Sequence, residues 1–203
     1  MQHKQRFTNV TLVTPYGEVD NDLLIDGDKI VDILDPTENI SDDWKIIDGQ
    51  NNFIFPGMID VLQHGFLNYL YGHAEENCTV DNSKILPSVG VTGFLPSTPC
   101  LPPEKTKTLL NALSNDIDKA KEGARVLGIH SEGPCFALPG AHDPKNLRNP
   151  SVPLAEELLD ACQGKLKALT LAPEMNGSEE FIKRLKKEKI SIHLGHSGAN
   201  PID

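Results

Sequence analysis

Histidine or glutamate stands at the end of one apolar, β-forming run after another along this chain. His64 follows residues 58–62, and the run from Ala124 to Ile129 leads straight into His130, Glu132 and the Gly133-Pro134 breaker. Glu174 ends Leu171-Ala172-Pro173, and His196 lies in Gly195-His196-Ser197-Gly198, after the run at 190–195. In a parallel α/β protein, the C-terminal ends of the strands share one rim, and active sites are built there. Imidazole and carboxylate groups converging on a rim are the donors that Zn²⁺ and other borderline divalent ions prefer. A metal held among them polarises a carbonyl and acidifies water, which is chemistry for hydrolysing an amide or an ester.

Other residues with chemical potential weigh less. His130, on the buried run itself, reads as a packing or supporting histidine rather than a ligand. Strand alternation turns His193 away from His196, so it counts as structural. His3 falls in a terminal tail and His73 in a loop, and neither is given a role. Glu174 is either a hydrogen-bonding residue of the rim or a catalytic one. Cys135 is close to Glu132 but has no base beside it, so it reads as a buried, inert thiol. The Gly195–Gly198 stretch lacks the Gly-x-Ser-x-Gly pattern of a nucleophile elbow.

Two segments of different character must position these groups. Residues 6–55 are β-rich, with turn signals at Pro15-Tyr16-Gly17, Asp26-Gly27-Asp28 and Asp48-Gly49, and they suggest a small antiparallel module. From Pro56-Gly57 onward, apolar strands alternate with helical stretches, the pattern of βα units around a parallel sheet. Strands are expected near 58–62, 91–96, 125–130, 166–171 and 190–195, and helices near 79–89, 103–121, 153–162 and 177–188. Thr79 or Asp81, Ser151 and Ser178 are the expected helix caps. The division is therefore 1–55 and 56–203.

Composition narrows the function classes. The chain has 203 residues, 24% of them charged, and a net charge of −10; its mean hydropathy is −0.30. No basic stripe is present, which argues against nucleic-acid or anionic-membrane partners. No run approaches the roughly 18 apolar residues of a membrane span. The first residues lack the apolar core of a signal peptide, and the four cysteines show no C-x-x-C pair. Reduced thiols and a cytoplasmic location are expected.

The motifs, in order, resemble those of the N-acetylglucosamine-6-phosphate deacetylases of the amidohydrolase superfamily. Those that carry the resemblance are Phe55-Pro56-Gly57-Met58-Ile59-Asp60, Gly90 to Thr98, Gly128-Ile129-His130-Ser131-Glu132-Gly133-Pro134, Gly140-Ala141-His142, Leu147-Arg148-Asn149-Pro150, Leu171-Ala172-Pro173-Glu174 and Gly195-His196-Ser197. The resemblance implies a (β/α)₈ barrel with a small β-sandwich, and a divalent metal, zinc by ligand preference, one per subunit. It implies deacetylation of N-acetyl-D-glucosamine 6-phosphate to glucosamine 6-phosphate and acetate, by a homodimer. By position, Glu132 and His196 match metal ligands, and Ala141 and His142 match the segment that meets the sugar's N-acetyl region.

This sequence departs from the family pattern in two ways. Where some relatives carry a His-x-His pair after the first barrel strand, the second histidine matches His64 but the first is Leu62, which cannot ligate. His64 is thus a third ligand candidate or a residue that lines the pocket. The family's remaining metal histidine, its acid/base aspartate and most phosphate contacts fall beyond Asp203. The expectation is an incomplete TIM-like barrel of about five βα units, the N-terminal part of such an enzyme, inactive by itself. The alternatives are a non-catalytic sugar-phosphate-binding remnant and an amidohydrolase of other specificity.

Overall fold

The computed structural model describes residues 4–73 and 77–200, which form two compact units, Met1–Pro56 and Gly57–Asp203. His3 lies outside the described residues, as does the side chain of His73.

The first unit is one sheet of β1 (Lys4–Thr14), β2 (Gly17–Val19), β3 (Asp22–Asp26), β4 (Lys29–Leu34) and β5 (Lys45–Ile54). Gly27, at φ 64, turns β3 into β4, with Asp26 opposite Lys29. The module is not wholly antiparallel as expected. β5 runs parallel to β1 on the edge opposite β2 and β3. Two-residue turns can join only antiparallel neighbours, whereas the longer 35–44 connection lets the chain cross to the far edge. Val10, Leu12 and Leu23 form a small core with Phe7, Ile25 and Ile54.

The second unit is α/β. Its parallel strands are β6 (Met58–Gln63), β9 (Val91–Thr98), β10 (Arg125–Val126), β11 (Ile129–Glu132), β12 (Leu166–Leu171) and β13 (Ser191–Leu194). Their order is β10-β9-β11-β12-β13, with β6 also on β9. A small hairpin, β7 (Gly65–Phe66) with β8 (Tyr69–Leu70), follows β6. The helices are α1 (Cys78–Ile85), α2 (Pro103–Lys119), α3 (Val152–Ala161) and α4 (Ser178–Lys187). They bury Leu109, Leu110 and Leu113, Leu154 and Leu158, and Phe181 and Leu185 in one core with Ile129, Leu166, Leu169 and Leu171.

Several local expectations are corrected. The strand expected at 125–130 is split, because Gly128 at φ 144 breaks it, and the second piece extends to Glu132. Pro87 ends α1 early, and the chain continues as a 3₁₀ turn over Leu86–Val89. Residues Asn77 and Gly177, both left-handed, occupy the N-cap positions expected of Thr79 or Asp81 and of Ser178. The Ser178 hydroxyl instead donates to the Ala172 carbonyl. Ser151 caps α3 as expected, accepting from the Leu154 N–H.

None of the four cysteines is in a disulfide, and all four are buried. Burial pushes the Cys100, Cys135 and Cys162 thiols up to about 12. From an ordinary value near 9, such a rise lowers the thiolate fraction about a thousandfold. The native chain should therefore resist alkylation by iodoacetamide at mildly alkaline pH and react fully in denaturant, as mass spectrometry would count.

Candidate metal centre

Each side chain of the candidate site is delivered by the C-terminal end of a strand or by the loop after it. Glu132 is the last residue of β11, and only 8% of its surface is exposed. His64 follows β6, where a bulge sets one extra residue between the Asp60–Phe94 and Gln63–Pro96 pairs. His142 comes from the loop after β11, and His196 lies two residues past β13 with φ 55. That left-handed turn ends the strand alternation, so alternation does not relate the facing of His196 to that of His193.

The three imidazoles surround the carboxylate. His64 Nε2 is 2.9 Å from Glu132 Oε2, His142 Nε2 is 3.6 Å from the same oxygen, and His196 Nε2 is 3.4 Å from Oε1. Potential ligand atoms of Glu132, His142 and His196 all lie within 4.8 Å of one another. Burial raises the Glu132 pKa, but the His64 hydrogen bond and the three neighbouring imidazoles outweigh it and hold the group below the usual carboxylate range. The hydrogen bond to Glu132 raises His64, against the opposing effect of its partial burial. Burial lowers His142.

The second nitrogen of each ring identifies its tautomer. His196 Nδ1 faces the Leu138 carbonyl at 3.0 Å and His64 Nδ1 faces the Ser97 carbonyl at 3.1 Å, so both donate there. In their neutral forms, each then presents an Nε2 lone pair to the carboxylate, an arrangement that a shared cation would relieve. His142 differs: its Nδ1 accepts the Cys100 N–H at 3.4 Å, so its Nε2 carries hydrogen and acts as a donor. Geometry alone groups His142 with the ligands. Its tautomer, with hydrogen on Nε2, suits hydrogen-bond donation. Imidazole and carboxylate donors of this kind suit a borderline divalent ion.

Supporting contacts absent from the sequence reading complete the site. Phe136 stacks on His196, with ring centroids 4.0 Å apart. The His196 carbonyl accepts from the Ala137 and Leu138 N–H groups, which ties the loop after β11 to the loop after β13. Gly133, at φ 89, leaves no room for a Cβ, which would lie 2.4 Å from Cys100 Sγ. A Cβ on Gly140 would lie 2.9 Å from His196 Cε1. These close approaches give the two glycines a local steric reason, yet nothing in spacing singles out Phe136.

Glu174 hydrogen-bonds at the rim, its carboxylate accepting from Ser197 Oγ at 2.9 Å and the Gly198 N–H at 2.6 Å. Its own backbone N–H, together with those donors, holds its pKa below the usual range. Glu174→Gln should loosen the loop that carries His196 and weaken zinc binding about tenfold, as titration calorimetry would measure. His130 is fully buried within the sheet, as its packing role required. Ala141 and His142 line a cleft of about 490 Å³ with His64, Glu132 and His196.

A parallel α/β fold with imidazoles gathered around a buried carboxylate at its rim is an arrangement whose donors suit a divalent metal ion. The comparisons with known proteins add one family likeness. The chain is 31% identical to the human N-acetylglucosamine-6-phosphate deacetylase over 208 residues, 96% of this chain and 49% of that protein. It is 26% identical to an N-acetylgalactosamine-6-phosphate deacetylase of Escherichia coli O157:H7 over 197 residues, 93% of this chain and 49% of that one. Among solved structures, the N-acetylglucosamine-6-phosphate deacetylase of Pasteurella multocida aligns with a TM-score of 0.83 at 27% identity, covering 97% of this chain and 52% of its own. No protein-family model matches the chain. The resemblance to the N-acetylglucosamine-6-phosphate deacetylases is thus shown along nearly the whole chain, and the chain spans about half the length of the curated relatives it matches. Among the described residues, no helix is long and apolar enough to cross a membrane.

Proposed function

We propose that this chain carries the substrate-facing and part of the metal-binding half of a cytoplasmic N-acetylhexosamine-6-phosphate deacetylase. The observation that carries the proposal is the buried Glu132 carboxylate with His64 and His196 presenting Nε2 to it. Glu132 and His196 would hold the ion and His64 would complete or flank the set. Zinc is among the ions that imidazole and carboxylate donors suit, and it would supply Lewis-acid polarisation of the scissile amide carbonyl. The His142 Nε2–H is the donor placed to hold the acetamide oxygen, with Ala141 beside it in the cleft. Ser97 and Leu138 fix the tautomers of His64 and His196 through their carbonyls.

In this proposal, residues 1–55 are part of a β-sandwich and residues 56–203 are about five βα units of a (β/α)₈ barrel in a homodimer. Support for an open barrel comes from β6, where Met58, Ile59, Val61 and Leu62 are 46–62% exposed although interior parallel strands bury both faces. The family's acid/base aspartate has no counterpart among these residues, so the chain alone should bind zinc without turning over substrate. The test is titration calorimetry with zinc, together with acetate release from N-acetyl-D-glucosamine 6-phosphate and its galactosamine epimer. Zinc binding without acetate is expected. Absence of zinc binding would sink the metal centre, and acetate release would overturn the claim that catalysis needs further residues.

A further inference from the structure

Glu132, His64 and His196 come from strands that are not all neighbours, and one buried side chain touches most of them. His130, two residues before Glu132 on β11, is fully inaccessible to solvent. Its Nδ1 is 2.8 Å from the Val61 carbonyl on β6 and 3.2 Å from Ser97 Oγ on β9. Its Nε2 is 2.8 Å from Thr170 Oγ1 on β12, and its ring meets that of His193 on β13 edge-on, with centroids 4.9 Å apart.

The contact with Val61 falls on the β6 bulge. Residues Val61 and Leu62 lie between the Asp60–Phe94 and Gln63–Pro96 pairs, where β9 supplies only Leu95. β-Bulges next to functional sites re-aim the side chains that follow them. Here the next side chains are Gln63, whose N–H donates to Ser97 Oγ, and His64, whose Nδ1 donates to the Ser97 carbonyl. On the other flank, Thr170 pairs in register with His193, three residues before His196. Because the Val61 carbonyl only accepts, His130 Nδ1 carries the hydrogen, and its Nε2 accepts from the Thr170 hydroxyl.

We propose that His130 is a positioning residue: it holds the β6 bulge that aims His64 at Glu132 and couples that bulge, through Thr170, to the strand pair that leads to His196. It touches neither metal nor substrate. The inference deepens the proposed metal centre and rests on it for its effect on zinc, but the geometry it asserts exists without the ion.

The test uses Thr170→Val, which removes the hydroxyl at nearly constant shape, and Thr170→Ser, which restores it. Imidazole ¹⁵N spectra of the metal-free chain are expected to show His130 with Nδ1 protonated and Nε2 as a lone-pair nitrogen. The His64 and His196 ring resonances should move in Thr170→Val and return in Thr170→Ser. Zinc affinity should fall about 10-fold in Thr170→Val, the lower range for partners behind metal ligands, and recover in Thr170→Ser. The opposite His130 tautomer, or His64 and His196 resonances unmoved in a folded Thr170→Val chain, would overturn the proposal. If the unsubstituted chain binds no zinc, the metal centre fails while the ring resonances still decide the role of His130.

Discussion

Glu132→Gln is expected to abolish measurable zinc binding while the chain stays folded. The amide keeps the shape of the carboxylate, so the packing of a side chain only 8% exposed is retained. It removes the carboxylate charge that three imidazoles face, at 2.9, 3.6 and 3.4 Å. Substitutions of residues that merely support metal ligands cost about 10–100-fold in affinity, so loss of the charged ligand itself should exceed about 100-fold. Calorimetric titration with zinc, with circular dichroism to verify the fold, measures it. Binding at undiminished affinity would take the carboxylate out of the site. The comparison with Glu174→Gln is informative, because Glu174 acts on the same loop from outside the cluster and should cost far less.

Arg6→Ala should be the most damaging change in the first unit. The Arg6 guanidinium donates to Asp22 Oδ2 at 2.5 Å and to the carbonyls of Glu38 and Pro36 at 3.1 and 3.3 Å. It thereby joins β1, β3 and the connection that returns the chain to β5. Asp22 is only 3% exposed, so truncating Arg6 strands a carboxylate away from water. Breaking one side of such a buried pair costs about 3–5 kcal/mol, and replacing both partners by apolar groups of similar volume is often close to neutral. The double variant Arg6→Met with Asp22→Leu should therefore be much less damaged than Arg6→Ala. Trp44, the only tryptophan, lies in this unit with the Lys4 ammonium 5.4 Å from its ring, so its fluorescence during denaturation reports on this unit. An Arg6→Ala midpoint equal to that of the unsubstituted chain would contradict the account.

What could be read from the sequence alone was what local chemistry dictates. The change of periodicity at Pro56-Gly57, the apolar runs of β9 and β12, the Gly27 turn and the Ser151 cap all depend on residues close together in the chain. The same holds for the presence of histidine or glutamate at successive strand ends. Even there, single glycines shift the boundaries: Gly128 moves β11 forward so that Glu132 belongs to the strand, and Gly177 displaces Ser178 from the cap of α4.

Only the tertiary structure decided which of those side chains meet. The parallel pairing of β5 with β1 depends on a crossing that no turn residue announces. The joining of His142 with Glu132 and His196, the stacking of Phe136 and the bridging by His130 all link residues far apart in sequence or on different strands. The reason is physical: because side chains alternate along a strand, one extra residue reverses which face the following ones take. The β6 bulge is such a residue, and the left-handed backbone of His196 has the same consequence beyond β13. Residue type and strand position made Glu132 a candidate ligand. Register, one bulge and one left-handed turn brought His64 and His196 to it.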